Sequence, residues 1–329
     1  MNSLDLLSIG DVTYDTFMTP SESDAFCTLR PKESFICFTY GDKIPVKNLE
    51  TSIGGNAANN AVGTTRMGIK SGLVTTMGDD DISQTIKAKL KREGVSLDSV
   101  ITQKESSANF STIVNYGGER TIFTYRPQRT YVFPENLPAT DWAYLTSMAE
   151  NFQDYYAKTV EWVKQNSVKL AFNPGSRQVR AGTDALRPVL EVTEVIYINR
   201  DEAESLTGLS GTENKEKELL QALCGLGPKK SIITDGANGS FVYDGSRFLK
   251  AGVLPVDAYE RTGAGDAFGS GCVAALIKGK PFEEALLWGT LNSASVIGYV
   301  GSQKGLLAES DLPKWLERAQ SCELKVVEF

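Results

Sequence analysis

From Trp142 onward the chain alternates short apolar runs with helical stretches, and this rhythm constrains the fold more than any other feature. The runs WAYLTS, VKLAFN, VIYIN and KSIITDG begin at Trp142, Val168, Val195 and Lys230. Parallel strands need helical crossovers, and strands buried on both faces read as unbroken apolar runs. The expectation is therefore an α/β body with a mainly parallel sheet. Leu4 to Gly10 supplies a first buried strand and Leu73 to Met77 another. Helices are expected over Gly55–Met67 and from the caps Asp79, Asp80 and Asp81 to Glu93, with Gly94 as the stop. SFVYDG and RFLK form a late hairpin. Helices near Gly263–Lys278, Phe282–Ile297 and Ser310–Gln320 complete the chain.

Two β-rich patches, about 19–51 and 108–131, interrupt the body. In the first, Phe35 to Tyr40 is a strand candidate closed by Gly41-Asp42. In the second, Phe110–Tyr116 and Glu119–Arg126 flank Gly117-Gly118, a pair able to take the positive φ of a tight hairpin. Together they are expected to form a small sheet that covers a site as a lid, within a single domain spanning 1–329. Phe35, Ile36, Phe38, Ile113, Ile122 and Phe123 exceed what one thin sheet needs, so a homodimer through the lid is also expected.

Composition then removes whole classes of chemistry. Lys and Arg number 34 against 41 Asp and Glu, a net charge of −7, which argues against nucleic-acid or anionic-membrane partners but leaves room for a small anion in a local basic pocket. There is no histidine, so Ser-His-Asp triads, His-ligated zinc and imidazole acid–base chemistry are out. Proton transfer falls to carboxylates, Lys, Tyr, Cys or water. Cys27, Cys37, Cys224, Cys272 and Cys322 are scattered and odd in number, which points to a reducing, cytoplasmic setting. The start MNSLDLLSIGD carries Asp5 within its apolar run and does not read as a signal peptide. The uncharged stretch Ala285 to Gln303 reads as a buried helix and its exit loop, not a membrane span.

The most informative stretch is Arg261-Thr-Gly-Ala-Gly-Asp-Ala-Phe-Gly-Ser-Gly271. A Gly-Ala-Gly turn opening a helix presents unpaired N–H groups at the positive end of the helix dipole, an anion site. Asp266 follows in the first turn, where it could take a proton from a hydroxyl attacking a phosphoryl group held on those amides. The dinucleotide pattern G-x-G-x-x-G fails, because Phe268 stands in the last position and Gly269 comes one late, and no Walker motif is present. The second stretch is Thr51-Ser-Ile-Gly-Gly-Asn-Ala-Ala-Asn-Asn60. Gly54-Gly55 permits close backbone approach. Asn56 and Asn59 fall one turn apart, and their amides suit polyol hydroxyls.

Together these stretches resemble the two signature motifs of the PfkB (ribokinase-like) family of carbohydrate and nucleoside kinases, and the resemblance covers essentially the whole chain. It implies a three-layer α/β/α sandwich with a small β-sheet lid. It also implies an ATP- and Mg²⁺-dependent kinase acting on a hydroxymethyl group of a small sugar. On matching positions it makes Asp266 the base and Gly263, Ala264 and Gly265 the amides that stabilise the transferred phosphoryl. Asp15, Gly55, Asn56 and Asn59 become substrate ligands. Glu202 of Asn199-Arg-Asp-Glu202 would organise Mg²⁺, with Asn199 on the nucleotide phosphates. Thr234, Gly236 and Gly239 match the family's nucleotide loop, Asn292 falls where relatives contact adenine, and Asn173-Pro-Gly resembles a segment lining the phosphate path.

One departure concerns the loop that often holds a monovalent cation in this family. Its usual Asp is here Glu260, followed by Arg261, which tells against K⁺ activation and offers the arginine as an alternative charge. Two other substrates stay open. A nucleoside would need an aromatic wall, for which Phe26, Phe35, Phe38 and Tyr40 are available. An acidic sugar such as 2-keto-3-deoxygluconate would be met by Arg126 or Arg129, since Glu119-Arg120 through Tyr125-Arg126 faintly resembles the arginine-bearing hairpin of those kinases. A catalytically silent sensor is disfavoured by the intact Gly-Ala-Gly and Asp266.

Overall fold

The computed structural model describes residues 3–21, 26–30, 33–116, 119–149 and 151–329. Ten strands form the large sheet, in the spatial order β7 (Val100–Thr102), β6 (Ser71–Met77), β1 (Leu4–Ile9), β10 (Thr140–Leu145), β11 (Lys169–Phe172), β12 (Thr193–Asn199), β13 (Lys230–Thr234), β14 (Ser240–Tyr243), β15 (Phe248–Ala251) and β16 (Val326–Glu328). The pairings from β7 to β13 are parallel and the last three antiparallel. The helices are α1 (Asn56–Arg66), α2 (Asp81–Arg92), α3 (Phe152–Asn166), α4 (Ser176–Ala181), α5 (Thr183–Leu190), α6 (Arg200–Thr207), α7 (Glu216–Gly225), α8 (Ala264–Ile277), α9 (Phe282–Val296) and α10 (Leu312–Ser321).

The unbroken apolar runs are explained by burial on both faces. Leu7, Ile9, Leu145, Phe172 and Ile198 pack into a core with α3, α5, α6 and α7. Their neighbours Leu6, Tyr144, Ala171 and Tyr197 point the other way, into a core with α8, α9 and α10. Successive strand side chains alternate between faces, so each run serves two cores. A third core joins α1 and α2 through Ala58, Ala61, Ile86 and Leu90. The layered α/β/α expectation is met. The uncharged stretch from Ala285 is α9 in the core, and among the described residues no helix is long and apolar enough to cross a membrane.

A separate sheet has the order β5 (Val46–Gly54), β2 (Thr13–Pro20), β8 (Phe110–Tyr116) and β9 (Glu119–Tyr125). It reaches beyond the expected limits, because β2 opens at Thr13 and β5 runs on to Gly54. Asp15 and Gly54 therefore lie on this sheet and not on the loop below it. The Gly117-Gly118 turn lies outside the described residues. Between β2 and β5, β3 (Phe26–Arg30) pairs with β4 (Glu33–Cys37). The strand expected over Phe35–Tyr40 stops at Cys37, which pairs with Phe26 at the start of β3. Ile113 is almost fully buried, which removes it from any dimer surface. Phe35, Phe38 and Phe123 remain exposed.

Candidate active site

The carboxyl ends of five neighbouring parallel strands meet in one crevice, the place where open α/β sheets hold ligands. A cavity of about 600 Å³ there is lined by Asp11 beyond β1, Ser147 beyond β10, Asn173 beyond β11, Asn199 on β12 and Thr234 on β13. The small sheet closes one side with alternate residues: Thr13 and Asp15, Ser111 and Ile113, Ile122 and Thr124, then Arg126. The amino end of α8 closes another with Thr262, Gly263, Gly265 and Asp266. Gly55, Asn56, Asn59 and Glu202 also line it. Ten of the fourteen residues that the resemblance assigned to the site thus share one cavity, together with Asn173 and Arg126. Ala264, Gly236, Gly239 and Asn292 are not among its lining residues.

Asp266 is held from the far end of the chain. Asn59 Nδ2 donates to its Oδ2 at 2.7 Å, while the Asn59 oxygen accepts from Ser302 Oγ at 2.9 Å and Gln303 Nε2 at 3.0 Å. Those two donors fix which end of the Asn59 amide faces the carboxylate. Asn59 is only 3% exposed, so it is a positioning residue for Asp266 more than the open polyol ligand its spacing suggested. Burial pushes the Asp266 carboxyl up to about 6, helped by the nearby Glu202 and Asp15 charges and opposed by the Asn59 hydrogen bond. Ser302 and Gln303 were missed in the sequence, where they follow an uncharged helix with no motif around them.

The anion turn differs in detail from the expectation. Gly263 takes φ +81°, and a β-carbon there would lie 2.4 Å from that of Ser302. The Ala264 N–H is drawn back to Arg261 O at 3.3 Å, so it is not an outward donor. The N–H groups of Gly265 and Asp266, in the first turn, have no acceptor within the helix. Tyr197 donates its hydroxyl to the Gly265 carbonyl. Gly269, the glycine that comes one place late for the dinucleotide pattern, leaves room for the Tyr197 ring, 2.5 Å from where a β-carbon would stand.

Asp15 is nearly buried and accepts from Thr13 Oγ1 at 2.7 Å. Burial raises its pKa, while the Thr13 and Ser111 hydrogen bonds and the Arg126 charge act against that rise. Asp11, which was not assigned a role from sequence, is a second nearly buried carboxylate in the cavity. Tyr131 donates to both of its oxygens, at 2.8 and 2.9 Å. Its place beside Gly10 at the end of the first parallel strand was the available signal. Asn56 Nδ2 reaches the Asn173 oxygen at 3.3 Å, and Asn173 itself is bound to Tyr144 and to the Tyr197 carbonyl.

Asn199 caps α6. Its oxygen accepts from Glu202 N at 2.8 Å and Glu202 returns a longer contact of 3.4 Å to Asn199 N, the reciprocal capping box. Among the described residues Glu202 otherwise meets only Ser176 Oγ at 3.4 Å, and burial raises its pKa. A half-buried carboxylate with only long contacts suits Mg²⁺, which keeps waters and substrate phosphates around one or two protein oxygens. Arg200, next to the cap, holds the following loops through Asp235, Thr212 and Glu216, each at 2.7–2.8 Å.

Four expectations are corrected. Asn292 is fully buried: its amide donates to Ala267 O and Ser270 Oγ and its oxygen accepts from Leu307 N. It locks α8, α9 and the exit loop together and offers nothing to adenine. Gly239 is needed by its own turn, where a β-carbon would lie 2.1 Å from Ala251 O. Arg129 is buried against Ser106 and Ser107 and is no carboxylate ligand; Arg126 is the hairpin arginine in the cavity. The aromatic wall expected for a nucleoside base is not at the site either. Phe35, Phe38 and Tyr40 are exposed elsewhere, the Phe26 side chain lies outside the described residues, and Tyr197 is the one aromatic among the described lining residues.

Glu260 sits in the loop before the anion turn. Its Oε2 accepts from Gly301 N at 3.0 Å, while its Oε1 and the Thr262 hydroxyl are buried without a hydrogen-bond partner. Arg261 is exposed and lines a different cavity.

A family model described as pfkB family carbohydrate kinase matches residues 25–309. The chain belongs to the pfkB carbohydrate kinase family. It is 26% identical to a ribokinase of Haemophilus influenzae over 289 residues, 85% of this chain and 92% of that one. It is 24% identical to an ATP-dependent 6-phosphofructokinase of Thermoanaerobacterium thermosaccharolyticum, covering 80% and 84% of the two chains. Among solved structures, Arabidopsis thaliana ribokinase complexed with ribose and ATP superimposes with a TM-score of 0.79 at 19% identity, over 96% of this chain and 99% of that one. This pfkB-family chain thus has the ribokinase-like fold and is an ATP-dependent sugar kinase.

Proposed function

We propose that this chain transfers the terminal phosphoryl group of ATP to a hydroxymethyl group of a small polyhydroxylated sugar. The observation that carries the reading is the meeting of Asp266, at the amino end of α8, with Asp15 and Asp11 in one cavity beside unpaired helix amides. Asp15 accepts hydrogen bonds from substrate hydroxyls, and Asp266 takes the proton of the attacking one. The Gly265 and Asp266 amides, not that of Ala264, meet the charge on the transferred phosphoryl. Phosphoryl transfer asks mainly for positioning and charge neutralisation, so a histidine-free site suffices. Glu202 is the residue that would hold Mg²⁺, with Asn199 and Thr234 toward the nucleotide; the ion would neutralise phosphate charge.

A monovalent cation also fits. Glu260 Oε1 and Thr262 Oγ1 are buried oxygens without partners, the ligand type such an ion takes, and Arg261 points away and does not replace it. The small sheet acts as a lid within a single kinase unit, excluding water as the competing acceptor. Hydrogen exchange in 13–20, 46–54 and 110–125 is expected to slow on adding acceptor. That Tyr197 is the one aromatic side chain lining the cavity among the described residues disfavours nucleosides.

The test is an ADP-release screen over pentoses, hexoses, sugar acids, keto-deoxy acids, sugar phosphates and nucleosides. Acceptor-dependent ADP release with a sugar supports the reading. Release with nucleosides alone, or with no acceptor in the panel, rejects it.

A further inference from the structure

A second cavity, of about 750 Å³, lies along the same face of the small sheet. Ile113 and Ile122 are cross-strand partners that line the catalytic cavity; Asn115 and Arg120, the next partners on that face, line the second. The opposite wall steps in the same way, with Thr262 and Gly263 in the first cavity and Glu260 and Arg261 in the second. Two residues of strand span roughly 7 Å, the scale of one open-chain sugar.

Two guanidinium groups enter this second cavity from its two walls, Arg120 from the sheet and Arg261 from the loop. Both are exposed, and neither forms an ion pair or hydrogen bond with a side chain among the described residues. The acids on the same walls are placed otherwise: Glu50 faces Lys304 at 3.6 Å and Glu260 accepts from Gly301 N in the loop after α9. Asn48 and Asn115 add neutral donors. Paired guanidinium forks match a carboxylate or phosphate in shape as well as charge. The cations of the catalytic cavity, among the described residues, are Arg126, beside Asp11 and Asp15, and the α4 arginines Arg177 and Arg180.

We propose that the acceptor is an anionic sugar whose carboxylate or phosphate lies between Arg120 and Arg261 while its hydroxymethyl group reaches Asp266. This rests on the kinase reading above and narrows it. The anion bridges sheet and loop, so it also draws the lid onto the body, and a neutral sugar lacks that tether.

The test compares matched acceptors with the full-length enzyme: glucose against gluconate and 2-keto-3-deoxygluconate for the carboxylate, fructose against fructose 6-phosphate for the phosphate. One anionic member is expected to exceed its neutral parent in kcat/KM by about tenfold or more, and which arm responds identifies the group. Arg120→Gln and Arg261→Gln should each raise KM for that acceptor by about tenfold while leaving kcat and the neutral sugars within about threefold. A neutral sugar preferred over its charged partner, or variants that change charged and neutral acceptors alike, overturns the anion subsite and leaves the kinase reading standing. Absence of ADP release with every acceptor overturns both.

Discussion

A β-carbon at Gly54 would lie 1.9 Å from Oδ2 of Asp15. Gly54 pairs with Thr13 across β5 and β2, and Asp15, two residues along β2 opposite Ser52, lays its carboxylate diagonally over the glycine. What approaches Gly54 closely is the enzyme's own acid, and not a ligand as the paired glycines suggested.

Gly54→Ala is therefore expected to imitate Asp15→Ala. Hydrogen bonds to a charged acceptor are worth roughly 1.5–3 kcal/mol each, so either change should raise acceptor KM by about tenfold or more and leave ATP binding alone. Steady-state kinetics with ATP and acceptor varied separately checks this. An unchanged acceptor KM in Asp15→Ala removes that residue from the pocket.

Asp266→Asn should lower kcat by about 10²–10⁴, the usual contribution of a general base, while ATP and acceptor still bind by calorimetry. Turnover within about threefold of the parent falls short of that range and assigns the proton to another group.

The Asp266 carboxyl, pushed up to about 6, must be ionised to act. Activity should fall as pH drops through about 6 with a slope of one. Stability moves the other way. The folded-state value lies above the ordinary carboxylate value of roughly 4, so the native chain keeps a proton that the unfolded chain releases in that window. The group's contribution to stability falls as pH rises from about 4 to about 6 and stays lowered above it. Asp266→Asn should consequently raise Tm at pH 8 and lose the advantage near pH 4. A Tm difference that does not vary with pH would contradict this.

Gln303→Ala should free the Asn59 amide to turn. Because the Asn59 hydrogen bond holds the Asp266 carboxyl down, the acid limb of the pH–rate profile should move to higher pH, with kcat reduced and acceptor KM little changed. A loss of activity with an unmoved limb would mark Gln303 as merely structural.

Glu260→Gln tests the cation loop. Activity in K⁺ should exceed that in tetramethylammonium for the parent, and the variant should lose most of that difference. Equal activity of the parent in both salts would show that the loop needs no ion.

The body of the fold was legible because the central parallel strands bury both faces and α2 carries its cap where the spacing implied, Asp80 accepting from Ser83 N at 2.9 Å. The site was legible wherever a backbone requirement forced a residue, as at Gly263 and Gly55. It was obscure where a side chain acts through a distant partner. Ser302 and Gln303 matter only because Asn59 folds against them, 243 and 244 residues away, and no local pattern announces such contacts. Asn292 misled for the opposite reason, since an amide in an apolar helix reads alike whether it meets a ligand or three backbone and side-chain partners.

The clasp on Asn59 has a consequence for the order in which the enzyme becomes active. Synthesis from Asn59 to Gln303, 244 residues, occupies on the order of ten to fifty seconds at roughly 5–20 residues per second. Throughout that interval Asp15, Asn59 and eventually Asp266 are present on the ribosome-bound chain, yet the amide that orients the base has nothing to hold it. The base of the unfinished protein is therefore unoriented, and the site is complete only once Ser302 and Gln303 have emerged and folded back onto Asn59.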